Sequence, residues 1–228
     1  MKNRRIEFAA LSRTILRGSR CRTIHRLSAA LALVALLGAC AIGPQGLEPV
    51  ATYDLGPQRN HPQENPHIRV ALMLPAVAAP AWLDNQGIVY RLDYQDAARP
   101  QTYANSRWSA APAQLLTQRL RSRFAAAASG IVSGGEGARA EYALRIELED
   151  FTQSFAAPSE SRVSVTVRAT LIDLVSRTLQ AQRTFTLERP AAADAAGGVK
   201  ALGAASDALI EELLGWTVQN LKDARPGR

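Results

Sequence analysis

Few residues in this sequence are of a type and spacing that perform covalent chemistry. The 228 residues hold two cysteines, Cys21 and Cys40, and three histidines, His25, His61 and His67. A metal site on His61 and His67 would need third and fourth ligands close by, and the Pro-rich stretch around them supplies no cysteine. A solvated loop accounts for both. Without a well-placed histidine, no serine can be read as the nucleophile of a Ser-His-Asp relay. Glu147, Glu149 and Asp150 have the spacing of paired carboxylates, but in "EYALRIELED" Glu147 and Glu149 fall on the polar side of an alternating pattern. A solvated strand face is the ordinary explanation. "SGGEG" at 133–137 is glycine-rich but lacks the Lys-Ser/Thr of a phosphate loop, and it reads as a connector. The expectation is no enzyme: no catalytic residue, no metal and no cofactor.

Cys40 is different. It closes the stretch "LSAALALVALLGAC", within which Leu27–Ala39 are thirteen residues without a charge, preceded by Arg20, Arg22 and Arg26. A membrane-spanning helix needs about 20 apolar residues, and a shorter run behind basic residues is the mark of a secretory signal. The ending "LLGAC" resembles the lipobox of bacterial lipoproteins. That resemblance implies a diacylglycerol on the Cys40 thiol, cleavage after Ala39 and acylation, for instance by palmitate, of the new amino group. Two or more acyl chains anchor stably where one binds reversibly.

The charge distribution agrees with cleavage there. Of 27 Lys/Arg and 20 Asp/Glu, residues 1–39 hold eight basic residues and one acid, Glu7, which leaves nineteen of each sign in the remainder. The net charge of +7 therefore lies wholly in the leader, and the nucleic-acid partner that a basic chain suggests is excluded. A net-neutral body is compatible with a homo-oligomer but does not require one. After cleavage no thiol remains for a disulfide, so the body must fold on its apolar core. Ala41, rather than Asp, follows the anchor cysteine, and by the sorting rule of enteric-type bacteria that favours the outer membrane, with the body facing the periplasm.

The elements follow from periodicity. Residues 40–66 carry Gly43, Pro44, Gly46, Pro49, Gly56, Pro57, Pro62 and Pro66 and read as a lipidated anchor and tether, with a short edge strand at 52–55. Residues 67–224 then form one domain. "HIRVALMLP" predicts a buried central strand, and "IVYRLDY" after the turn at Asp84–Gly87 predicts another. A helix is predicted from about Ala110 to Ala128, with Ser109 as its cap, Pro112 in its first turn and Gly130 beyond its end. Its apolar face carries Leu116, Leu120 and Phe124. Period-two alternation predicts strands over "EYALRIELED", "RVSVTVRATL" and "LQAQRTFTL", with a bulge where the phase slips between Leu171 and Ile172. From Val199 onward a second amphipathic stripe runs through Leu202, Leu209, Ile210, Leu213, Leu214 and Val218, with "PAAADAAGGVK" as a flexible approach. The expected fold is α+β, a two-layer domain in which an antiparallel sheet carries two amphipathic helices on one face.

One succession of short motifs is informative. Tyr53-Asp54-Leu55, the "VYR" strand Val89-Tyr90-Arg91, then Tyr103, Arg107-Trp108, Pro112 and the Leu-rich helix of Leu115, Leu116 and Leu120 stand in that order. This order resembles the ABC-type transport auxiliary lipoproteins, the PqiC-like family, over about Tyr53 to Leu221. The resemblance implies a small α+β domain and a non-enzymatic lipoprotein whose partner is an MCE-domain protein of a lipid transport system between the two membranes. A lipoprotein that activates a cell-wall synthase or assists outer-membrane assembly shares the same anchor, tether and body, and is the alternative. The motif residues Tyr53, Leu55, Tyr90, Arg91, Tyr103, Arg107, Trp108 and Pro112 are expected to be structural, with Trp108 packed at the helix entrance. Trp82, in a Pro-flanked loop, is a candidate partner contact if it is exposed.

Overall fold

The computed structural model describes residues 49–58, 67–134, 137 and 139–223. The leader, Cys40 and His61 lie outside them. Eight strands and three helices follow one another among the described residues: β1 (Ala51–Tyr53), β2 (Ile68–Met73), β3 (Gly87–Leu92), α1 (Asp93–Asp96), β4 (Ala97–Trp108), α2 (Pro112–Ala125), β5 (Ala128–Val132), β6 (Tyr142–Ala157), β7 (Glu160–Asp173), β8 (Thr178–Ala191) and α3 (Ala195–Asp223).

The sheet is organised by β6, which at sixteen residues is long enough to serve two sets of neighbours. One edge pairs antiparallel with β7 along its length, and β7 pairs antiparallel with β8. The other edge is divided. Its start takes β2 (Leu72 opposite Tyr142), its end takes β3 (Tyr90 opposite Gln153), and Ala78 bridges the gap at Glu147. β5 extends the first branch beside β2; β4 and then β1 extend the second beside β3.

The fold is α+β as expected, but the sheet is mixed. The antiparallel reading holds for β6–β7–β8 and for β3–β4, whereas β2 and β3 run parallel to β6, β5 runs parallel to β2, and β1 runs parallel to β4. Alternation reports a wet face and says nothing of direction. β2 lies between β5 and β6 and runs parallel to both, yet its burial alternates, with Ile68, Val70 and Leu72 buried and Arg69 exposed.

Side-chain alternation puts the core on one face of this sheet. Val163, Val165, Val167, Ala169 and Leu171 of β7 are all buried, and Leu144, Ile146 and Leu148 of β6 join them. A bulge then inserts Glu149 between the pairs Leu148–Val167 and Asp150–Thr166. It shifts the phase, so that Phe151, Gln153 and Phe155 continue the buried row. The predicted slip between Leu171 and Ile172 is present in the β7–β8 ladder, where the extra residue, Gln180, belongs to β8.

The helices cover that row and touch each other through two ion pairs. Leu116, Leu120 and Phe124 of α2, and Leu202, Leu209, Ile210, Leu213 and Leu214 of α3, are buried in the common core. Each such side chain contributes about 1.5–3 kcal/mol relative to exposure. Trp108 packs on Phe151, and Phe185 meets Trp216 edge-on, with ring centroids 5.6 and 5.7 Å apart.

Three helix boundaries differ from expectation. Helix α2 starts at Pro112, with Ala111 in the cap position and no side-chain cap bond. Ser109 is otherwise engaged, its N–H donating to the Tyr53 carbonyl (2.6 Å) and its carbonyl accepting from Gln86. Gly130 lies within β5, because Ala127 closes the helix by donating to Phe124 and the chain turns at once into the sheet. Helix α3 starts at Ala195, so "AAGGVK" is helical rather than a loose approach. Asp194 accepts from Gly197 N–H at its entrance, which supplies the missing cap. Gly198 and Gly203 are there for close contact, as the site geometry explains.

Candidate functional site

Three neighbouring groups of side chains lie around the ends of β1, β3 and β4, and they take in most of the residues singled out by sequence. Trp108 is buried at the β4 terminus, where its backbone N–H donates to Gln86 and its ring contacts Phe151. Pro112 occupies the first helical position of α2, which suits its missing N–H. Arg107 is exposed and its guanidinium donates to the Thr52 hydroxyl (3.4 Å), tying β4 to β1 through a side chain rather than to a carboxylate.

The second group is aromatic and polar. Tyr90 and Tyr103 face each other across β3 and β4 with centroids 4.6 Å apart, and Phe155 approaches Tyr90 edge-on. Tyr90 donates to Gln101, and Tyr103 donates to Gln153 Oε1 at 3.0 Å. Gln153 is fully buried, and its amide nitrogen donates to Ser161 Oγ (2.8 Å) and to the Ala192 carbonyl (2.9 Å). Every polar atom of this side chain is therefore used, as burial requires. Burial, reinforced by Tyr90 and Asp194, pushes the Tyr103 phenol up to about 12. Gly198 lies against the same amide: a Cβ there would sit 2.8 Å from Gln153 Cδ, too close for any other residue without moving Gln153.

The third group was not legible as a site. Arg119 of α2 is 7 % exposed. Its guanidinium donates to Asp207 of α3 (2.9 Å), to the Leu55 carbonyl (3.1 Å), to the Gly56 carbonyl and to the Gly203 carbonyl (3.4 Å). One turn on, Arg123 grips both carboxylate oxygens of Glu211; that hydrogen bond raises the Arg123 pKa against the opposing effect of burial. The Arg119 clasp fixes the Tyr53-Asp54-Leu55 segment onto the helix pair. Gly203 permits it, since a Cβ there would stand 2.6 Å from the Leu55 carbonyl oxygen. Gly56 turns the chain with φ +72°, its N–H donating to Asp54. Tyr53 is half-buried and Leu55 buried beside this clasp.

Beside the clasp, β1 and α3 bound a cleft of about 450 Å³. On another part of the surface Trp82 is 37 % exposed, with the Arg91 guanidinium 5.5 Å from its ring centroid and donating to the Ala97 carbonyl. The carboxylates Glu147 and Glu149 both lie against Arg168 on the sheet's outer face. His67 is exposed just before β2. No group of three metal-ligating side chains occurs among the described residues.

The signal that could have revealed the clasp was spacing. Arg119 and Arg123 stand four apart on the apolar side of one helix, and Asp207 and Glu211 stand four apart on the other. Cations on one buried stripe and anions at the same interval on another are matched ladders.

Residues 53–213 match the family model for the ABC-type transport auxiliary lipoprotein component. Among solved structures, the chain is similar to a Xanthomonas campestris protein of the family DUF330, with TM-score 0.64 and 21 % identity over 77 % of this chain and 96 % of that one. It is also similar to an uncharacterized protein, with TM-score 0.57 and 19 % identity over 75 % and 99 % of the two chains. These two show the fold. No curated protein matches the chain.

Proposed function

This chain belongs to the family of ABC-type transport auxiliary lipoproteins, and from that premise we propose that it is a non-enzymatic accessory subunit of an MCE-type lipid transport system. In this reading Cys40 carries the lipid, residues 40–66 tether the domain, and the body faces the periplasm from the outer membrane. The observation that carries the proposal is the family match across residues 53–213. The lipobox "LLGAC" ahead of it supports the anchor. A role without covalent chemistry is supported by the use made of the polar groups: Gln153 and Arg119 are consumed in holding the fold, and Glu147 and Glu149 are tied to Arg168.

The test is an affinity pull-down of the lipidated protein from mildly crosslinked envelopes, with partners identified by mass spectrometry. Enrichment of an MCE-domain protein is the expected result. A cell-wall synthase or an outer-membrane assembly factor in its place overturns the transport reading and leaves the anchor intact. Separately, Cys40→Ser moves the protein from the outer-membrane fraction to the soluble periplasmic one; retention in the membrane refutes lipidation at this thiol.

A further inference from the structure

The cleft beside the clasp is walled on one side by a sheet edge and on the other by a helix. Among the described residues β1 pairs only with β4. Tyr53 turns its carbonyl to β4, where Ser109 N–H donates to it. By the alternation of a strand, the backbone groups of Thr52 point the other way. Thr52 and Asp54 line the cleft, and Pro57 ends that wall. The facing wall is the first three turns of α3, where Gly203 and Ala204 leave room and Lys200 stands exposed at the rim. Lys200 makes no ion pair among the described residues, whereas Asp207, deeper in the same wall, is held by Arg119. The edge is also rigid: Arg119 pins Leu55 and Gly56, and Arg107 holds the Thr52 side chain on its far side. A preset strand edge, a cleft of about 450 Å³ and a helix wall with one free cation are the parts needed to add a strand and read one acidic group on it.

We propose that the β1–α3 cleft binds an extended peptide of a partner protein, which pairs with the free edge of β1 and sets a carboxylate, from an acidic side chain or a chain terminus, against Lys200. Free edges are normally blunted or covered; Lys200 favours a carboxylate at the helix wall, while Asp54 on the opposite wall is turned to the Gly56 N–H (2.7 Å). This inference does not depend on the partner being an MCE protein, so either can fail alone.

The experiment selects random decapeptides by messenger-RNA display against the lipidated chain in detergent, then measures the affinity of the enriched peptides by fluorescence anisotropy. Enriched sequences are expected to be rich in β-formers and to carry an acidic group. Thr52→Pro removes a donor from the free edge and weakens binding roughly tenfold; Thr52→Val, which removes only the hydroxyl that Arg107 holds, is the control and leaves binding unchanged. Lys200→Glu weakens binding by at least as much as Thr52→Pro and, on reselection, favours basic peptides. Ala204→Trp fills the cleft and abolishes binding, with thermal unfolding as the control for fold in all four. The proposal is overturned if no peptide is enriched, or if enriched peptides bind Thr52→Pro, Lys200→Glu and Ala204→Trp as they bind the parent. It is also overturned if phosphatidylglycerol vesicles, rather than peptides, are the ligand whose binding depends on Lys200 and Ala204.

Discussion

Replacing Arg119 by Met tests whether the clasp is what fixes the tether-proximal segment to the domain. The substitution keeps the apolar stem of the side chain and removes donors from Asp207 and from the carbonyls of Leu55, Gly56 and Gly203. Both charged partners are more than nine-tenths buried. Removing one partner of such a pair costs about 3–5 kcal/mol, since the remaining charge loses its counter-ion in a largely desolvated site. For a domain of this size each kcal/mol shifts Tm by about 2–4 °C, so Arg119→Met is expected to lower Tm by about 6–20 °C. Asp207→Asn retains an acceptor but leaves the buried Arg119 without its counter-ion, so it should fall at the lower end of the same range, about 3 kcal/mol. Combining Arg119→Met with Asp207→Leu recovers part of the loss, and the double-mutant cycle gives a coupling of about 1–3 kcal/mol. Thermal unfolding followed by circular dichroism measures the global effect, and amide hydrogen exchange measures the local one. The local prediction is faster exchange at residues 53–57 in Arg119→Met than global destabilisation alone explains. A Tm within about 2 °C of the parent, with residues 53–57 still protected, would refute the clasp.

Three further outcomes follow from the same geometry. Since burial raises the Tyr103 phenol to about 12 from the ordinary 10.0, the folded state keeps a proton that the unfolded state loses; its stabilising contribution is complete below pH 10 and disappears as the pH rises through about 12. A fully enclosed phenol so displaced is worth about 2.7 kcal/mol, but Tyr103 is only partly buried, and solvent screening leaves roughly 1 kcal/mol; denaturant titrations of the parent and Tyr103→Phe between pH 9 and pH 12 check this, an identical pH slope in both being the contrary result. Gly198→Ala, which pushes on the buried Gln153 amide, is expected to cost about 1–3 kcal/mol, while Gly215→Ala in the same helix, with open space around it, gains about 0.5–1 kcal/mol; urea unfolding should return opposite signs. Trp82→Ala is expected to leave Tm unchanged and to reduce crosslinking to the transport partner several-fold, and an unchanged yield removes the Trp82–Arg91 pair from the interface.

What the sequence makes legible here depends on whether one element carries its own pattern. β7 can be read residue by residue because Val163 to Leu171 alternate without interruption, although β6 and β8 each carry a bulge beside it. β4 and β5 carry no such pattern. β4 is exposed over most of its length and contains Pro100 opposite Arg91, which a peripheral strand tolerates and a central one does not. β5 is five residues with a glycine in the middle, and its pairing with β2 is decided by where α2 delivers the chain. The direction of β2 and β3 relative to β6 is likewise a property of connections, since period-two alternation is the same in either sense.

The site divides along the same line. Trp108 and Pro112 can be placed from local types alone, because an aromatic at a helix entrance and a proline in its first turn have one good environment each. Gly198 and Gly203 look like helix breakers in "AAGGVKALG" until their partners are known; a glycine-rich segment reads as loose when the contacts that need its missing side chains come from Gln153 and Leu55, 45 and 148 residues away in sequence. Arg119 reads as one more polar residue on α2, yet its four acceptors lie on β1's exit and on α3. Buried charge is costly enough that an arginine on an apolar stripe demands a partner, and the matched interval of Asp207 and Glu211 says which helix provides it. Pairing two amphipathic helices by the spacing of their buried charges, before pairing them by their leucines, would have brought α2 and α3 together in register and left β1's exit as the acceptor still to be placed.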